Sequence, residues 1–593
     1  MISLILLSII FLFVFSNNFK EIENNNEILI SNSITSLTCS IALIGSISLG
    51  LIFLKYVEFP IILISIFVFI SYFFLSNLRL FNIINFFISC KNFINIFLIK
   101  NNILKFIIFL LLYLYLLSFG PINHPDATTT YVGYPFQFFM QGKHFIDGGL
   151  HQGVLGVSDF ANLAFFQEKS LWLIRMIQAI PLFMVASIFL KRGASKLLLI
   201  SFLTAPVFIQ WLTIGKYLFF PDLAITLTYL VWDKFKSKNN LLNLLIVIIL
   251  SISFKITCII ISIPILLHIL FYFISTKKFN YILGIDKNVR YIFLFFAIVV
   301  LFEIVFYRFY ITGNFFYPLF NNYFVSENKQ MIDFEITLKK YIHSDGLPFV
   351  TKNINYLGYI IGPSNALLIL ILPLLSLLEP KKNEFNKYNV IGIFQIILLL
   401  TISNGRADYF ASPIILILLN QNIPKLMQYP FNKFLKVNFK FFKNLFLSTL
   451  LLQISIFFCI TIFSIYQTFF GLWNFQTSMN RYSYNYDFSS TLNKFAQEPI
   501  INFYDRTPLL FIKKDYVHED KFKKCISNAE EKSLEDPVKF CFQKFKANSI
   551  VTNSNDLKKN KNFSCKKYLT NYTSRNPFRY RKREFDLCNI TNQ

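Results

Sequence analysis

Residues 291–311 read YIFLFFAIVVLFEIVFYRFYI, a run in which Glu303 and Arg308 are the only charges. A helix of that length is about 30 Å long, the thickness of the hydrocarbon core of a bilayer. Similar apolar runs recur from Ile2 to Phe469 and then stop, so the chain divides near Phe470 into a membrane part and a tail. The totals agree with this division. Of 593 residues, 55% are hydrophobic and only 15% are charged, which is too apolar for a water-soluble globule of this size.

Candidate spans fall at 2–16, 36–54, 57–75, 79–99, 103–119, 171–190, 196–213, 217–232, 240–254, 256–275, 291–311, 357–378, 388–403, 407–420 and 445–469. Several are short or abut one another, so the expected number is about 13–15 helices. The first run, MISLILLSIIFLFVF, has no charged n-region and no small-residue cleavage site, and reads as an uncleaved helix.

The net charge of +25 sits mostly in short connections between the runs. With a cytoplasmic N-terminus, one orientation gathers the clusters on the inner side. They are Lys100 with Lys105, Lys191 with Arg192 and Lys196, Lys234 with Lys236 and Lys238, and Lys277 with Lys278, Lys287 and Arg290. Lys381 with Lys382 and Lys387, and the group from Lys425 to Lys443, complete the set. The charge is therefore an orientation signal, and no nucleic-acid partner is expected. Lys, Asn, Ile and Phe are all abundant, so single residues of these types weigh little.

The same alternation puts three segments outside: the loop 120–170, the loop 312–356 and the tail 471–593. Loops this long without structure of their own are usually functional or disordered. Short amphipathic helices are expected at Tyr134 to Met140 and Ala161 to Glu168. In the tail, Ile500 to Tyr504 and Ser549 to Thr552 read as strands and Pro537 to Lys546 as a helix. Cys525, Cys541, Cys565 and Cys588 lie there. An even number suits two disulfides in an oxidising compartment, with four free thiols as the alternative. Of the permitted pairings, Cys525 with Cys541 and Cys565 with Cys588 is the most local. Cys39, Cys90, Cys258 and Cys459 fall in apolar runs and read as buried small hydrophobes. The expected fold is thus mainly α: a polytopic transmembrane helix bundle with a small C-terminal extracytoplasmic α/β domain.

The most informative outer stretch is Asn123-His124-Pro125-Asp126-Ala127-Thr128-Thr129-Thr130-Tyr131. A carboxylate at the mouth of a helix bundle can act as a general base, its pKa raised by desolvation; Asp126 is the candidate. The plainer reading is an N-cap for a helix starting at Ala127. Asp222, at the outer start of a span, either orients an acceptor or holds a divalent metal, or else caps a helix beginning near Leu223. Lys255 and Arg406 fall at outer helix ends, where a cation could receive a lipid phosphate. Against that, Lys255 could snorkel to the headgroups and Arg406 could pair with Asp408. His124, Asp147, His151 and Asp159 share the first loop but lack compact metal-ligand spacing. Glu303 with Arg308 reads as a structural pair within a span. No Gly-rich phosphate loop occurs, and the short inner connections leave no room for a nucleotide-sugar domain.

An Asp placed just after a span in the first large outer loop resembles the signature of the GT-C superfamily of membrane glycosyltransferases. Further pieces resemble its bacterial polytopic branch: Phe220-Pro221-Asp222-Leu223-Ala224, Ser253-Phe254-Lys255-Ile256-Thr257, and Thr312-Gly313-Asn314-Phe315-Phe316-Tyr317-Pro318-Leu319-Phe320-Asn321. The likeness covers residues 101–470 and leaves 1–100 as additional N-terminal helices. It departs from the family pattern in lacking a Tyr-His pair after the Asp and in having Phe315 where Pro is usual.

What the resemblance implies is transfer of a sugar from a polyprenyl-phosphate carrier to a lipid, glycan or protein acceptor, in a bacterial inner membrane. Asp126 would be the base and Asp222 the second acidic group. Lys255 and Arg406 would bind the donor phosphate, and His124 and Tyr131 would line the substrate site. A divalent cation is the one cofactor left open. The competing readings are a transporter or flippase for a lipid-linked or anionic substrate, and a non-catalytic scaffold. Transporters keep polar groups at the bilayer midplane, often in repeated halves, whereas here the charges lie at outer ends and no repeat is visible.

Overall fold

The structure, a computed structural model, describes residues 27–54, 102–118, 122, 126–141, 150–165, 173–205, 212, 217, 219–277, 289–317, 387–402, 411–419, 439–473, 479–480, 483, 485–502, 509–517, 519–534, 536–552, 563–573 and 580–590. The expected spans 2–16, 57–75, 79–99 and 357–378 lie outside these residues.

Helices dominate. In chain order they are α1 (Ile28–Phe53), α2 (Asn102–Leu117), α3 (Gly133–Gln141), α4 (Val157–Ala161), α5 (Leu173–Lys191), α6 (Lys196–Leu203) and α7 (Phe219–Phe235). They continue with α8 (Lys238–Phe254), α9 (Cys258–Thr276), α10 (Val289–Thr312), α11 (Lys387–Ile402), α12 (Ala411–Leu419) and α13 (Phe439–Trp473). Among the described residues three helices are long and apolar enough to cross a membrane: Ile28–Phe53, Cys258–Thr276 and Arg290–Thr312. The last shows why. One face buries Phe293, Ala297, Val300, Ile304 and Tyr307 against the bundle, yet Ile292, Phe295, Phe302 and Phe306 on the other are more than 60% exposed. A soluble amphipathic helix would turn polar residues outward there; this one is apolar on both sides, as a lipid-facing helix is.

The direction of α1 corrects an expectation. Alternation from a cytoplasmic N-terminus makes the 36–54 span run towards the basic end of the bundle. In the structure α1 begins there. Glu27, just before it, is fully buried and forms ion pairs with Arg192 at 2.9 Å and Lys234 at 2.8 Å. Asn32 accepts from Arg290 at 3.2 Å and from Asn243 at 2.8 Å. At the far end Phe53 meets the ring of Tyr310. A single acid in a Glu- and Asn-rich stretch carried no sign of this pairing in sequence. Its burial with two cations fixes the helix direction, because one unpaired buried charge would cost several kcal/mol.

Two glycines set the packing of the first loop. A Cβ on Gly45 of α1 would lie 2.1 Å from the Val157 carbonyl oxygen, and one on Gly156 would lie 1.8 Å from that of Phe254. Backbone thus rests directly on backbone from α1 through α4 to the end of α8.

The tail folds as expected into a small α/β unit. Its strands are β1 (Ile500–Asn502), β2 (Tyr516–Val517), β3 (Ser549–Thr552), β4 (Phe563–Thr573) and β5 (Tyr580–Ile590), in sheet order β2-β1-β3-β5-β4. β1 is parallel to β2 and β3, and β5 is antiparallel to β3 and β4. Helix α14 (Tyr486–Phe495) covers one face through Phe488 and Leu492, against Ile500, Val551 and Phe585. Helices α15 (Glu519–Glu531) and α16 (Pro537–Phe545) cover the other through Phe522 and Phe542, against Ile501 and Ile550. The disulfides are the local ones, Cys525–Cys541 between the two helices and Cys565–Cys588 across β4 and β5.

Candidate functional site

The tail roofs the first loop. Leu510 and Phe511, in a 3-10 turn of the tail, share an apolar core with Ala127, Val132 and Tyr134. Gln137 donates from Nε2 to the Ile512 carbonyl at 2.7 Å, and Ser483 donates to that of Ile122 at 2.7 Å. Loop and tail therefore lie together at one end of the bundle.

Under this roof Asp126 heads a π-helix, Ala127–Tyr131. The cap reading requires extended backbone and a side chain bonded to the first turn. Asp126 instead has φ −61° and ψ −36°, and its side chain makes no capping bond. It is half-buried, as is Tyr131 at the end of the same turn. π-Helical turns concentrate at functional sites.

Asp222 and Lys255 come together from different elements. Helix α7 begins at Phe219, four residues earlier than the cap reading of Asp222 needs, so Asp222 sits inside its first turn. The residue is 3% exposed, and its carboxylate accepts from the Cys258 thiol at 3.5 Å. Lys255 breaks the chain between α8 and α9 with extended backbone, φ −154° and ψ 118°. Its Nζ is buried rather than extended to the headgroups, and its charge acts on Asp222. Behind them the Asp222 carbonyl accepts from Thr226 at 2.8 Å; Thr226 meets Ser412 at 2.7 Å, and Ser412 donates to Gln395 at 3.2 Å. This polar thread ties α7 to α12 and α11, which holds the first turn of α7 in place.

A second buried pair lies beside the first. The expected partnership of Glu303 with Arg308 does not form: Glu303 accepts from Ser46 on α1. Five residues along a helix turn through about 140°, so the two side chains face different neighbours. Arg308 points at the first loop, donating to the Leu155 carbonyl at 3.5 Å, while the adjacent Tyr307 hydroxyl donates to that of Gln152 at 3.1 Å. Asp159, which accepts from the Gly156 amide at 2.8 Å, places its charge among Arg308, Tyr307 and Tyr217. All four are at most 3% exposed. Gly156 rests on Phe254, the residue before Lys255, so the two acid–base pairs adjoin at one end of the bundle. The sequence showed Asp159 and Arg308 separately; nothing local tells that charges 149 positions apart act on each other.

His124 and Arg406 lie outside the described residues, as do Asp147 and Asp408. Among the described residues no three His, Cys, Asp or Glu side chains gather as a metal site would require. Comparison with protein-family models, curated proteins and solved structures finds no match to this chain.

Proposed function

We propose that the chain is a polytopic membrane glycosyltransferase of GT-C type, moving a sugar from a polyprenyl-phosphate-linked donor to a lipid, glycan or protein acceptor. The observation that carries this reading is the buried Asp222–Lys255 pair, at the same end of the bundle as Asp126. A site for a lipid phosphate needs a cation held at the membrane boundary, and a lone buried cation is costly unless a carboxylate stands near it. Lys255 with Asp222 meets both requirements. Three helices are of membrane length, and the exposed apolar faces of two of them, Cys258–Thr276 and Arg290–Thr312, supply the lipid contact. The basic end is cytoplasmic in this reading and the tail extracytoplasmic, where the two disulfides belong.

In the reaction, Asp126 takes the proton of the acceptor hydroxyl or amine as its oxygen or nitrogen bonds to the anomeric carbon. The bond from that carbon to the phosphate oxygen breaks, and the polyprenyl phosphate leaves with the electron pair, its charge met by Lys255. The step inverts the anomeric centre. The tail, roofing the loop, excludes water from the transfer and meets the acceptor.

The test is transfer of radiolabelled sugar from a panel of polyprenyl-phosphate sugars into membranes containing the wild-type chain, Asp126→Asn or Asp222→Asn. Label incorporated by wild type and lost in folded Asp126→Asn supports the reading. Equal transfer by both removes Asp126 as the base, and no transfer from any donor returns the chain to the transporter or scaffold classes.

A further inference from the structure

The tail, residues 471–593, carries 22 Lys and Arg against 13 Asp and Glu, an excess of nine positive charges. The excess is concentrated. From Leu557 to Arg583 there are ten Lys or Arg and no Asp or Glu, and four of the chain's 12 Arg fall within residues 575–583. A general abundance of Lys does not account for clustered Arg, and the positive-inside effect acts on short connections beside spans rather than on a folded outer domain.

The fold gathers part of this charge around aromatic rings. Strands β4 and β5, each of 11 residues, form a ribbon roughly 35 Å long. Tyr568 stands opposite Phe585, Lys566 opposite Leu587 and Thr570 opposite Arg583. Alternation therefore puts Lys566, Tyr568, Phe585 and Arg583 on one face, the face that α14 covers. Tyr568 stacks against two rings there, Phe585 at 5.7 Å and Phe495 at 5.1 Å. Phe585 is buried, but Phe495, at the end of α14, is 41% exposed. The Lys494 Nζ lies 5.1 Å from the centre of the Phe495 ring and the Lys566 Nζ 5.7 Å from that of Tyr568, and both lysines are exposed. The nearby acids are otherwise engaged. Asp487 accepts from the Asn571 amide at 2.9 Å, about 10 Å along α14 from Lys494, and Glu584 pairs with Lys567 on the opposite face.

Exposed cations beside an exposed, flat ring select the ligand. An anionic group meets the cations, and an apolar ring face, such as the C–H face of a pyranose, lies on Phe495. The ribbon is several sugar units long and the basic run continues along it, which suits a chain rather than a single ion. Single-stranded nucleic acid shares these features, but this domain holds two disulfides, which belong to an oxidising compartment where surface glycans are found. Lysines on an edge strand also deter pairing with other sheets, a role that needs neither the exposed ring nor the arginines.

We infer that Lys494, Phe495, Lys566 and Arg583 form a docking surface for an acidic glycan, a polymer whose sugar units carry carboxylate or phosphate groups. Asn493, on the same helix, donates to the Phe511 carbonyl at 2.8 Å, so the surface is tied to the turn that roofs the first loop. Under the glycosyltransferase reading the polymer is the acceptor; the surface itself is argued without that reading.

Binding is measured without turnover, by titrating the purified full chain in detergent with oligomers of equal length. The probes are oligogalacturonate, a phosphodiester-linked mannan, a neutral maltooligosaccharide and oligo(dT). At least one acidic glycan is expected to bind about tenfold or more tighter than the neutral one, and to weaken as salt rises from about 0.05 to 0.5 M. Lys494→Gln combined with Lys566→Gln should weaken that binding about tenfold, and Phe495→Leu, which keeps apolar bulk but removes the ring, about fivefold. Because these side chains are exposed, the thermal midpoint should hold in both variants.

Equal affinity for the neutral glycan overturns the inference, as does tighter binding of oligo(dT) than of both acidic glycans. No acidic glycan bound at about 10 mM, or binding undiminished in either folded variant, also overturns it. The wild-type comparison decides the ligand class even where a variant fails to fold. Acidic-glycan binding with no transfer from any lipid-linked donor keeps the surface and removes the catalytic reading, whereas transfer without such binding does the reverse.

Discussion

The carboxylate of Glu27 meets the guanidinium of Arg192 at 2.9 Å, and none of the acid is exposed. This contact ties the start of α1 to the end of α5, across 165 residues of chain. Removing one member of a buried pair leaves the other uncompensated, at a cost of about 3–5 kcal/mol. Glu27→Ala is therefore expected to lower the thermal midpoint of the detergent-purified protein sharply. An unchanged midpoint would mean that α1 does not depend on this end for its placement.

The same residue sets an acid limit. Burial pushes the Glu27 carboxyl up, but hydrogen bonds and charge from Arg192 and then Lys234 outweigh this and hold it below the ordinary value of 4.5. With the folded value below the unfolded one, the unfolded chain binds more protons between them. The stabilisation is complete above about pH 5 and fades as pH falls through the folded value. The midpoint, followed downward from pH 7, should hold level and then drop. Glu27→Gln should flatten part of that drop, and an identical acid limb in the variant would exclude Glu27 as its source.

For Asp222 and Lys255 a double-mutant cycle is informative. Asp222→Asn alone leaves a buried ammonium without its nearby negative charge, and should destabilise by about 3–5 kcal/mol. Adding Lys255→Met should recover much of the loss, a coupling that distant, independent residues do not show. Additive losses would mean that the two charges do not support each other.

The glycine contacts admit no side chain. Gly156→Ala places a methyl 1.8 Å from the Phe254 oxygen and Gly45→Ala one 2.1 Å from that of Val157. Each should cost at least the ~1–3 kcal/mol of an overpacked core. Gly50→Ala, with nothing within 4 Å of the added carbon, is the matched control and should be tolerated. Equal effects at all three positions would refute the close approach.

In the tail, opening Cys525–Cys541, which closes 16 residues, should cost about 3 kcal/mol, the value for a loop of that order. Thiol labelling of denatured, unreduced protein followed by mass spectrometry should leave all four tail cysteines unmodified. Labelled tail cysteines would put that domain in a reducing compartment and overturn its extracytoplasmic placement.

Helix positions were legible because apolar runs announce themselves locally: 103–119 became Asn102–Leu117, 240–254 became Lys238–Phe254, and 291–311 became Val289–Thr312. The tail strands and the local disulfides were legible for the same reason. What escaped was non-local. The span expected at 36–54 begins eight residues earlier, at Ile28, because Ser31, Asn32 and Thr35 dilute its apolar signal. Thr35 bonds its hydroxyl back to the Ser31 carbonyl at 2.7 Å, while Asn32 bonds to neighbouring helices. Arg308 was assigned to the acid nearest in sequence, whereas its charge partner lies in a loop that spacing could not bring to it. At the candidate site, placement in the sequence singled out Asp126, Asp222 and Lys255, but the refusal of Asp126 to cap its helix could be read only from backbone angles.

The bond from Gln137 to Ile512 also has a consequence in time. Its partners are 375 residues apart, so at a synthesis rate of 5–20 residues per second the loop waits about 20–75 s for the segment that covers it. Everything Asp126 touches within its own loop exists well before the ribosome reaches the tail. The segment around Ile512 therefore decides whether the first loop is ever enclosed, and a chain stopped short of Ile512 carries the acid without its shelter.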